Sequence, residues 1–224
     1  MDHPLLAVLF DLDGTLLDTA PDMVGALDIL RRENALAPLP FDEARASVSH
    51  GSARLVRLGF PDAGVERLAA LQRRYLEIYS DHLAAGTRLF PGMDAVLEQL
   101  TARRLALGIV TNKPGWLTEP LLEQLGLRAR FACVVSGDSL SERKPHPLPL
   151  LHAAELAGVP PQSCVYVGDA ERDMQAARAA GMRSLVATYG YLADGENWRA
   201  WGGDGAISAP AELLGWLAHG GDGT

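Results

Sequence analysis

Hydrophobic and polar residues alternate in blocks along the chain, with short apolar runs separated by longer amphipathic segments. The apolar runs cover residues 5–10, 105–111, 132–137, 164–168 and 184–188. Each run has the length of a strand and is apolar at consecutive positions, as in parallel strands that are buried on both faces. The segments between them have helical spacing. This order predicts an α/β fold with a doubly wound, mainly parallel, Rossmann-like sheet.

One region lacks this alternation. Residues 19–86 contain only helical patterns, enough for about four helices, and no convincing strand. We therefore predict a helical domain at 19–86, inserted into an α/β core domain formed by residues 1–18 and 87–224. The glycine-rich end, residues 219–224, is predicted to be a frayed tail.

Composition and charge restrict the partners. The net charge of −8 over 224 residues argues against a nucleic acid or an anionic membrane surface as partner. A small anionic substrate is compatible only if positive charge is concentrated in a pocket. No apolar run reaches the roughly 18 residues of a membrane span, and no basic segment precedes the first apolar run as in a signal peptide. With Cys133 and Cys164 inside apolar runs, where reduced thiols are expected, these features predict a cytoplasmic protein.

Polar side chains follow the ends of the predicted strands. Asp11 and Asp13 follow the first strand, Thr111 and Asn112 lie at the end of the second, Asp169 and Asp173 follow the fourth, and Lys144 precedes a proline between the third and fourth. In open α/β sheets ligands bind beyond the carboxyl ends of the strands. The four clusters are therefore predicted to converge on one site.

Each cluster alone has a simpler explanation. Asp-x-Asp-Gly is compatible with a turn or a calcium loop, but Thr15 and Leu16 do not fit the fifth and sixth positions of that loop. Thr111 is compatible with a helix cap, and Asp173 with a favourable charge at a helix N-terminus. The joint occurrence, in this order and at strand ends, favours a functional site. Of the 20 basic residues only Lys113 and Lys144 are lysines, and both lie in these clusters.

The residue types suggest phosphoryl transfer. Aspartate forms aspartyl-phosphate intermediates, so Asp11 is a candidate nucleophile. A phosphate dianion and a carboxylate repel each other, which a Mg²⁺ ion bound to both would offset. The candidate ligands are the carboxylates of Asp11 and Asp169 and the backbone carbonyl of Asp13, with Asp173 binding through a water or orienting the ligands.

The remaining groups have complementary roles in such a reaction. Lys144 and the Thr111 hydroxyl would bind the phosphoryl oxygens and offset their charge. Asp13 would protonate the leaving alcohol and later take a proton from the attacking water. The two aspartates of the first cluster are thus predicted to have different functions.

The four clusters resemble the motifs of the haloacid-dehalogenase superfamily of phosphohydrolases. The matching segments are DLDGT (11–15), TN (111–112), KP (144–145) and GDAERD (168–173). The resemblance implies a nucleophile at Asp11, an acid/base at Asp13, and phosphate and Mg²⁺ residues at Thr111, Lys144, Asp169 and Asp173. It also implies that the helical segment is a cap that closes over the substrate. Within the superfamily the chain is most similar to the phosphoglycolate phosphatase group, and residues 187–207 are also similar to proteobacterial N-acetylmuramic acid 6-phosphate phosphatases.

The sequence therefore predicts a Mg²⁺-dependent phosphatase of a small phosphorylated metabolite, acting as a monomer or homodimer. Phosphoglycolate is the first substrate to consider, and N-acetylmuramic acid 6-phosphate is the alternative. A phosphosugar mutase of the same fold is a further alternative. A signalling module resembling receiver domains is disfavoured, because its phosphorylated aspartate follows a middle strand of the sequence and it has no helical insertion.

Candidate substrate contacts lie in two places. Asn112 joins Thr111 and Lys144 at the strand ends. In the helical segment a His-Gly break suggests a helix end that dips toward the site, with His50, Ser52 and Arg54 as candidate contacts to a substrate carboxylate. Ordinary helix-capping and solvated side chains are the alternative explanation for these three residues.

Overall fold

The computed structural model describes residues 3–193 and 195–218, so the predicted tail lies outside the described residues. Within them the main sheet has six strands, β1 (Ala7–Phe10), β4 (Ala106–Val110), β5 (Cys133–Val135), β6 (Cys164–Gly168), β7 (Arg183–Ala187) and β8 (Gly205–Ile207). A separate antiparallel pair consists of β2 (Leu17–Asp18) and β3 (Arg88–Leu89). The six strands of the main sheet are parallel and lie in the order β5-β4-β1-β6-β7-β8. The predicted α/β sheet is confirmed, with β1 near its centre.

Helices cover both faces of this sheet. The chain forms α1 (Ala20–Glu33), α2 (Phe41–Arg45), α3 (Gly51–Gly59), α4 (Val65–Asp81), α5 (Met93–Ala102), α6 (Gly115–Gln124), α7 (Leu148–Leu156), α8 (Glu171–Ala179) and α9 (Glu212–Ala218). Because successive side chains of a strand point to opposite faces, β1 contributes to two cores. Val8 and Phe10 pack with residues of α5, α6 and α9, whereas Ala7 and Leu9 pack with residues of α7 and α8.

The helices α1 to α4 lie between β2 and β3 in the chain and pack against one another, and we call residues 19–86 the helical insert. The predicted helices are present, although the segment before the His-Gly break forms only the short α2 and a 3₁₀ turn at Val48–His50. The β2–β3 pair joins the two ends of the insert. The exact division into two domains stays a prediction.

Three strands were not predicted. β2 and β3 have two residues each and are too short to give a periodic pattern. β8 has the sequence GAI, and a glycine in so short a run leaves only one strongly β-forming side chain. In the part of the chain that the structure describes, no helix has the length and hydrophobicity needed to span a bilayer.

Candidate active site

Three neighbouring strands deliver the predicted polar residues to one edge of the sheet. β1 is followed by Asp11, β4 by Thr111 and β6 by Asp169, and β1 lies between the other two strands. Because the strands are parallel, their carboxyl ends meet at the same edge. The structure therefore brings the strand-end clusters together at one edge of the sheet, as predicted.

Three carboxylates form a buried cluster at this edge. Oxygen atoms of Asp11, Asp169 and Asp173 lie within 4.8 Å of one another, and all three residues are buried. Burial, which disfavours the charged form, raises the pKa of Asp11 to about 6 and that of Asp169 to about 7. For Asp169 the charges of the other two aspartates raise the pKa further. The cluster thus concentrates negative charge where water cannot solvate it.

Lys144 lies within this cluster and offsets part of its charge. Its Nζ is 2.9 Å from Asp11 Oδ1 and 2.8 Å from Asp173 Oδ1. It also donates to the Val110 carbonyl at 2.9 Å and the Tyr166 hydroxyl at 2.7 Å. Together with the Arg172 guanidinium, 4.0 Å from Asp11 Oδ2, this gives two positive charges against three carboxylates, so the cluster is still short of positive charge. A divalent cation with oxygen ligands fits that deficit and that donor set, as Mg²⁺ would.

Asp13 has a different environment. Its Oδ1 accepts hydrogen bonds from the Thr19 hydroxyl at 2.7 Å and from Lys113 Nζ at 3.0 Å. Lys113 also donates to the Tyr79 hydroxyl of α4 at 2.8 Å. Asp13 is therefore held beside the carboxylate cluster by the ammonium group of Lys113. The two lysines of the chain each pair with one aspartate of the first motif.

Gly14 allows the first motif to approach Asp169 closely. Its φ is +83°, and a Cβ at this position would lie 2.1 Å from Asp169 Oδ2. Any side chain here would both clash with that carboxylate and strain the backbone. The Gly of Asp-x-Asp-Gly is therefore required by the contact between two strand ends.

Thr111 and Asn112 lie beside Lys144. The Asn112 side chain donates to the Lys144 carbonyl at 2.9 Å and accepts from the Lys144 backbone N–H at 3.1 Å. The Thr111 hydroxyl accepts from the backbone N–H of Lys113 at 3.1 Å, and its own O–H proton stays available to a ligand. Asn112 thus positions the lysine loop, while its predicted contact to substrate stays a prediction.

A cavity of about 550 Å³ lies between the sheet edge and the helical insert. Asp11, Asp13, Thr111, Asn112 and Lys144 line it from the sheet side.

From the insert, His50 and Ser52 line the same cavity. Ser52 accepts a hydrogen bond from Gln72 of α4 at 3.0 Å. Burial and the nearby Arg172 lower the pKa of His50, so its imidazole is neutral at pH 7. Arg54 is exposed and is not among the residues that line the cavity. Of the three predicted insert contacts, two therefore face the cavity.

Two residues that the sequence analysis did not single out, Ser49 and Arg172, contact the carboxylates through their side chains. Ser49, in the 3₁₀ turn of the insert, donates to Asp169 Oδ2 at 2.6 Å. The Nη2 of Arg172 donates to the Ser49 carbonyl at 2.6 Å and lies 4.0 Å from Asp11 Oδ2. The Arg172 Nε is buried with no hydrogen-bond partner among the described residues. The position of Arg172 within the GDAERD motif could have identified it from the sequence, whereas no sequence pattern pointed to Ser49.

The fold and this site together define a hydrolase class. The chain matches the model of the haloacid dehalogenase-like hydrolase family over residues 8–187, and it belongs to that family. It is 43% identical over 203 residues to a phosphoglycolate phosphatase of Xylella fastidiosa strain Temecula1, covering 91% of this chain and 89% of the relative. It is 37% identical over 210 residues to an N-acetylmuramic acid 6-phosphate phosphatase of Pseudomonas putida strain KT2440, covering 93% and 94%.

A solved structure supports membership of this family. The crystal structure of a predicted phosphoglycolate phosphatase from Haemophilus somnus 129PT superposes with a TM-score of 0.84 at 27% identity, covering 94% of this chain and 97% of that chain. The predicted resemblance to haloacid-dehalogenase phosphohydrolases is thereby confirmed.

Proposed function

We propose that the protein is a Mg²⁺-dependent phosphomonoester hydrolase that works through an aspartyl-phosphate intermediate, with phosphoglycolate as its substrate. The observation that carries the proposal is the presence of Asp11, Asp13, Thr111 and Lys144 in the wall of a single cavity. This set combines a nucleophile, an acid/base and two phosphate-binding groups. The names of the relatives support a phosphate ester as substrate.

The cation would be held by the carboxylates of Asp11 and Asp169 and by the backbone carbonyl of Asp13, with Asp173 as a further ligand or orienting group. Bound there, Mg²⁺ supplies the charge that lets a phosphate dianion approach these carboxylates. Burial and the charges of Asp11 and Asp173 raise the pKa of Asp169, and a cation bound among the three carboxylates would offset that repulsion, which supports this assignment.

Asp11 is the nucleophile in this proposal. Its Oδ1 accepts from the Leu12 backbone N–H at 2.7 Å and contacts Lys144. Among the described residues, the polar group next to its Oδ2 is the Arg172 guanidinium, 4.0 Å away. Because Oδ1 is engaged, we assign the attack on phosphorus to Oδ2. That bond forms as the bond from phosphorus to the leaving alkoxide breaks. Lys144, Arg172 and the Thr111 hydroxyl bind the phosphoryl oxygens, whose charge they offset.

Asp13 moves the protons. Protonated Asp13 gives its proton to the leaving alkoxide, and its carboxylate then takes a proton from the water that attacks the aspartyl phosphate. The products are the alcohol and inorganic phosphate, and Asp13 is protonated again. Both of its hydrogen bonds end on Oδ1, which supports a role for Oδ2 toward the substrate.

The helical insert would act as the cap domain, residues 19–86, over the core domain of residues 1–18 and 87–224. Closure excludes water, so the aspartyl phosphate forms before water can compete with the ester. The cavity between the insert and the sheet edge supports this role. His50, Ser52 and Asn112 line the cavity and stay proposed contacts to the rest of the substrate, with neutral His50 acting as a hydrogen-bond donor. Arg54, which is exposed outside the cavity, would reach the substrate only after the insert rearranges.

The size of the cavity favours a second candidate substrate that is larger than phosphoglycolate. Its volume of about 550 Å³ lies in the range of roughly 300–1,000 Å³ that accommodates drug-sized ligands. This is more room than a two-carbon phosphate ester fills. N-acetylmuramic acid 6-phosphate, which also carries a phosphate ester and a carboxylate, is therefore the second candidate.

The test is a panel of phosphomonoesters assayed for phosphate release with Mg²⁺ and with excess chelator. We expect Mg²⁺-dependent release, and no turnover of any ester with Mg²⁺ would reject the proposal. The ratio of kcat/KM for phosphoglycolate to that for N-acetylmuramic acid 6-phosphate decides between the two substrates. Appearance of an isomerised phosphosugar in place of free phosphate would instead identify a mutase.

A further inference from the structure

Among the described residues, the side-chain hydrogen bond from the helical insert to the carboxylate cluster comes from Ser49. Ser49 lies in the 3₁₀ turn Val48–His50 and is buried at the boundary between the insert and the sheet edge. Its hydroxyl donates to Asp169 Oδ2 at 2.6 Å across 120 residues of sequence. Asp169 belongs to the cluster that fits a divalent cation. A residue of the insert therefore touches a proposed metal ligand.

The hydrogen bonds to Asp169 are divided unequally between its two oxygens. Oδ2 accepts from Ser49 and also from the backbone N–H of Tyr191 at 3.0 Å. Oδ1 accepts only a long hydrogen bond, 3.3 Å, from the Thr15 hydroxyl. Two donors on Oδ2 fix the rotation of the carboxylate about χ2. Oδ1 keeps lone pairs with which to bind a cation.

A second contact holds the same turn against the segment that follows Asp169. Arg172, three residues after Asp169, donates from Nη2 to the Ser49 carbonyl at 2.6 Å. Arg45 of α2 stacks on the ring of Tyr191, with its Cζ 4.8 Å from the ring centroid. The hydroxyl and carbonyl of one insert residue are thus both bonded to the segment that carries Asp169.

We propose that Ser49 is a positioning residue for the Asp169 carboxylate, and that it couples cation binding to docking of the 3₁₀ turn onto the sheet edge. Hydrogen bonds from outside the ligand set orient metal ligands, and their loss typically lowers metal affinity about 10- to 100-fold. The inference rests on the Mg²⁺ site proposed above, and it assigns to the insert a role in forming that site as well as covering it.

The coupling must act in both directions. If the cation binds more tightly when the turn is docked than when it is undocked, saturating cation raises the ratio of docked to undocked turn by the same factor. Mg²⁺ alone, without substrate, should therefore slow hydrogen exchange of backbone amides in residues 41–59. This is a property of binding and does not depend on turnover.

The experiment measures the dissociation constant of Mg²⁺ alone by titration calorimetry for wild type, Ser49→Ala and Ser47→Ala. Ser47 is the matched control, since it precedes the same turn and is buried, and its side chain makes no capping hydrogen bond. We expect a dissociation constant about tenfold higher for Ser49→Ala, and a change within twofold for Ser47→Ala. Hydrogen exchange at 41–59 should slow on adding Mg²⁺ in wild type and Ser47→Ala but respond less in Ser49→Ala.

The outcomes separate this inference from the proposed function. If wild type binds Mg²⁺ and Ser49→Ala binds it equally or more tightly, the positioning role is wrong while the metal-dependent phosphatase stands. If wild type binds no Mg²⁺, both are wrong. Should Ser49→Ala fail to fold, Ser49→Cys is the second variant, because a thiol is a weak donor of similar size, and the same weakening is expected of it.

Discussion

The sheet edge and the helical insert line the same cavity with different chemistry. The edge contributes charged side chains, including Asp11, Lys144 and Arg172, within a few ångströms of one another. Among the residues that line the cavity, in the described part of the chain, the insert supplies no Asp, Glu, Lys or Arg. Its polar contributions are hydroxyls, an amide and the neutral imidazole of His50. The charges that phosphoryl transfer needs are thus fixed on the sheet, whereas the insert offers neutral hydrogen-bonding groups that can vary without disturbing them.

The largest effect is expected at the sheet edge, from Asp11→Asn. An amide cannot form the aspartyl phosphate, and removing a catalytic nucleophile costs on the order of 10⁴-fold or more in kcat. The variant should stay folded, because burial raises the pKa of Asp11 and a neutral side chain therefore suits the site. Phosphate release and circular dichroism check both expectations. Substantial activity in a folded Asp11→Asn protein would remove the nucleophile assignment.

The next effect concerns Lys113, which connects the sheet edge to the insert. Lys113→Met removes the ammonium group from Asp13 and should lower kcat about 100-fold, the lower end of what a general acid/base contributes. Tyr79→Phe is the control, since it removes only the hydroxyl that Lys113 contacts on the insert, and kcat should fall less than about fivefold, the value of one hydrogen bond.

A double-mutant cycle distinguishes the mechanism of this loss. If Lys113 acts through Asp13, then Lys113→Met should cost little in a protein that already carries Asp13→Ala. Fully additive losses would instead show that Lys113 acts independently of Asp13, for example by contacting the substrate.

The sheet edge was also the region that the sequence predicted well. Asp11 and Asp169 directly follow apolar runs and Thr111 ends one, and parallel strands must bring their carboxyl ends together. The order of contacts within the edge was not available from the sequence. That Lys144 bridges Asp11 and Asp173 depends on the loop that carries it, whose path no periodicity encodes.

The insert was predicted only as helices. Helical periodicity identifies a buried face but not where a turn between two helices docks on another element. Ser49 therefore carried no signal, because its partner Asp169 is 120 residues away. The His-Gly break predicts that His50, Ser52 and Arg54 reach the site together, yet the rotation of α3 puts Arg54 at the surface. Contacts between distant segments are set by packing of whole elements, which a local pattern does not record.

A third, smaller effect tests whether His50, which lines the cavity, and the exposed Arg54 differ in their effect on substrate binding. His50→Ala should raise KM about fivefold with little change in kcat, because it removes one neutral hydrogen bond made equally before and during the reaction. Arg54→Ala is the matched comparison, and its exposed position outside the cavity leads us to expect KM within twofold of wild type. Steady-state kinetics with both candidate substrates provide the measurement. A KM effect of Arg54→Ala equal to that of His50→Ala would show that the insert rearranges to bring Arg54 to the substrate.

The smallest effect is a gain in stability at the sheet edge, from Asp169→Asn in the cation-free protein. The folded-state pKa of Asp169 is raised from 3.8 to about 7, so between these values the folded protein binds more protons than the unfolded chain. Stability then falls as pH rises through this window, and the penalty is complete above pH 7. A rise of this pKa from 3.8 to about 7 corresponds to about 4 kcal/mol, and the weaker hydrogen bonds that an amide oxygen accepts from Ser49 and Tyr191 offset much of it. The variant should therefore be more stable than wild type at pH 8, by on the order of 1 kcal/mol, or a few degrees in Tm, and the difference should shrink toward pH 4. Thermal unfolding with chelator present measures this.

The same comparison with saturating Mg²⁺ should reverse sign, because only wild type keeps the carboxylate that binds the cation. A lower Tm for Asp169→Asn at pH 8 without cation would mean that its hydrogen bonds from Ser49 and Tyr191 outweigh the charge repulsion.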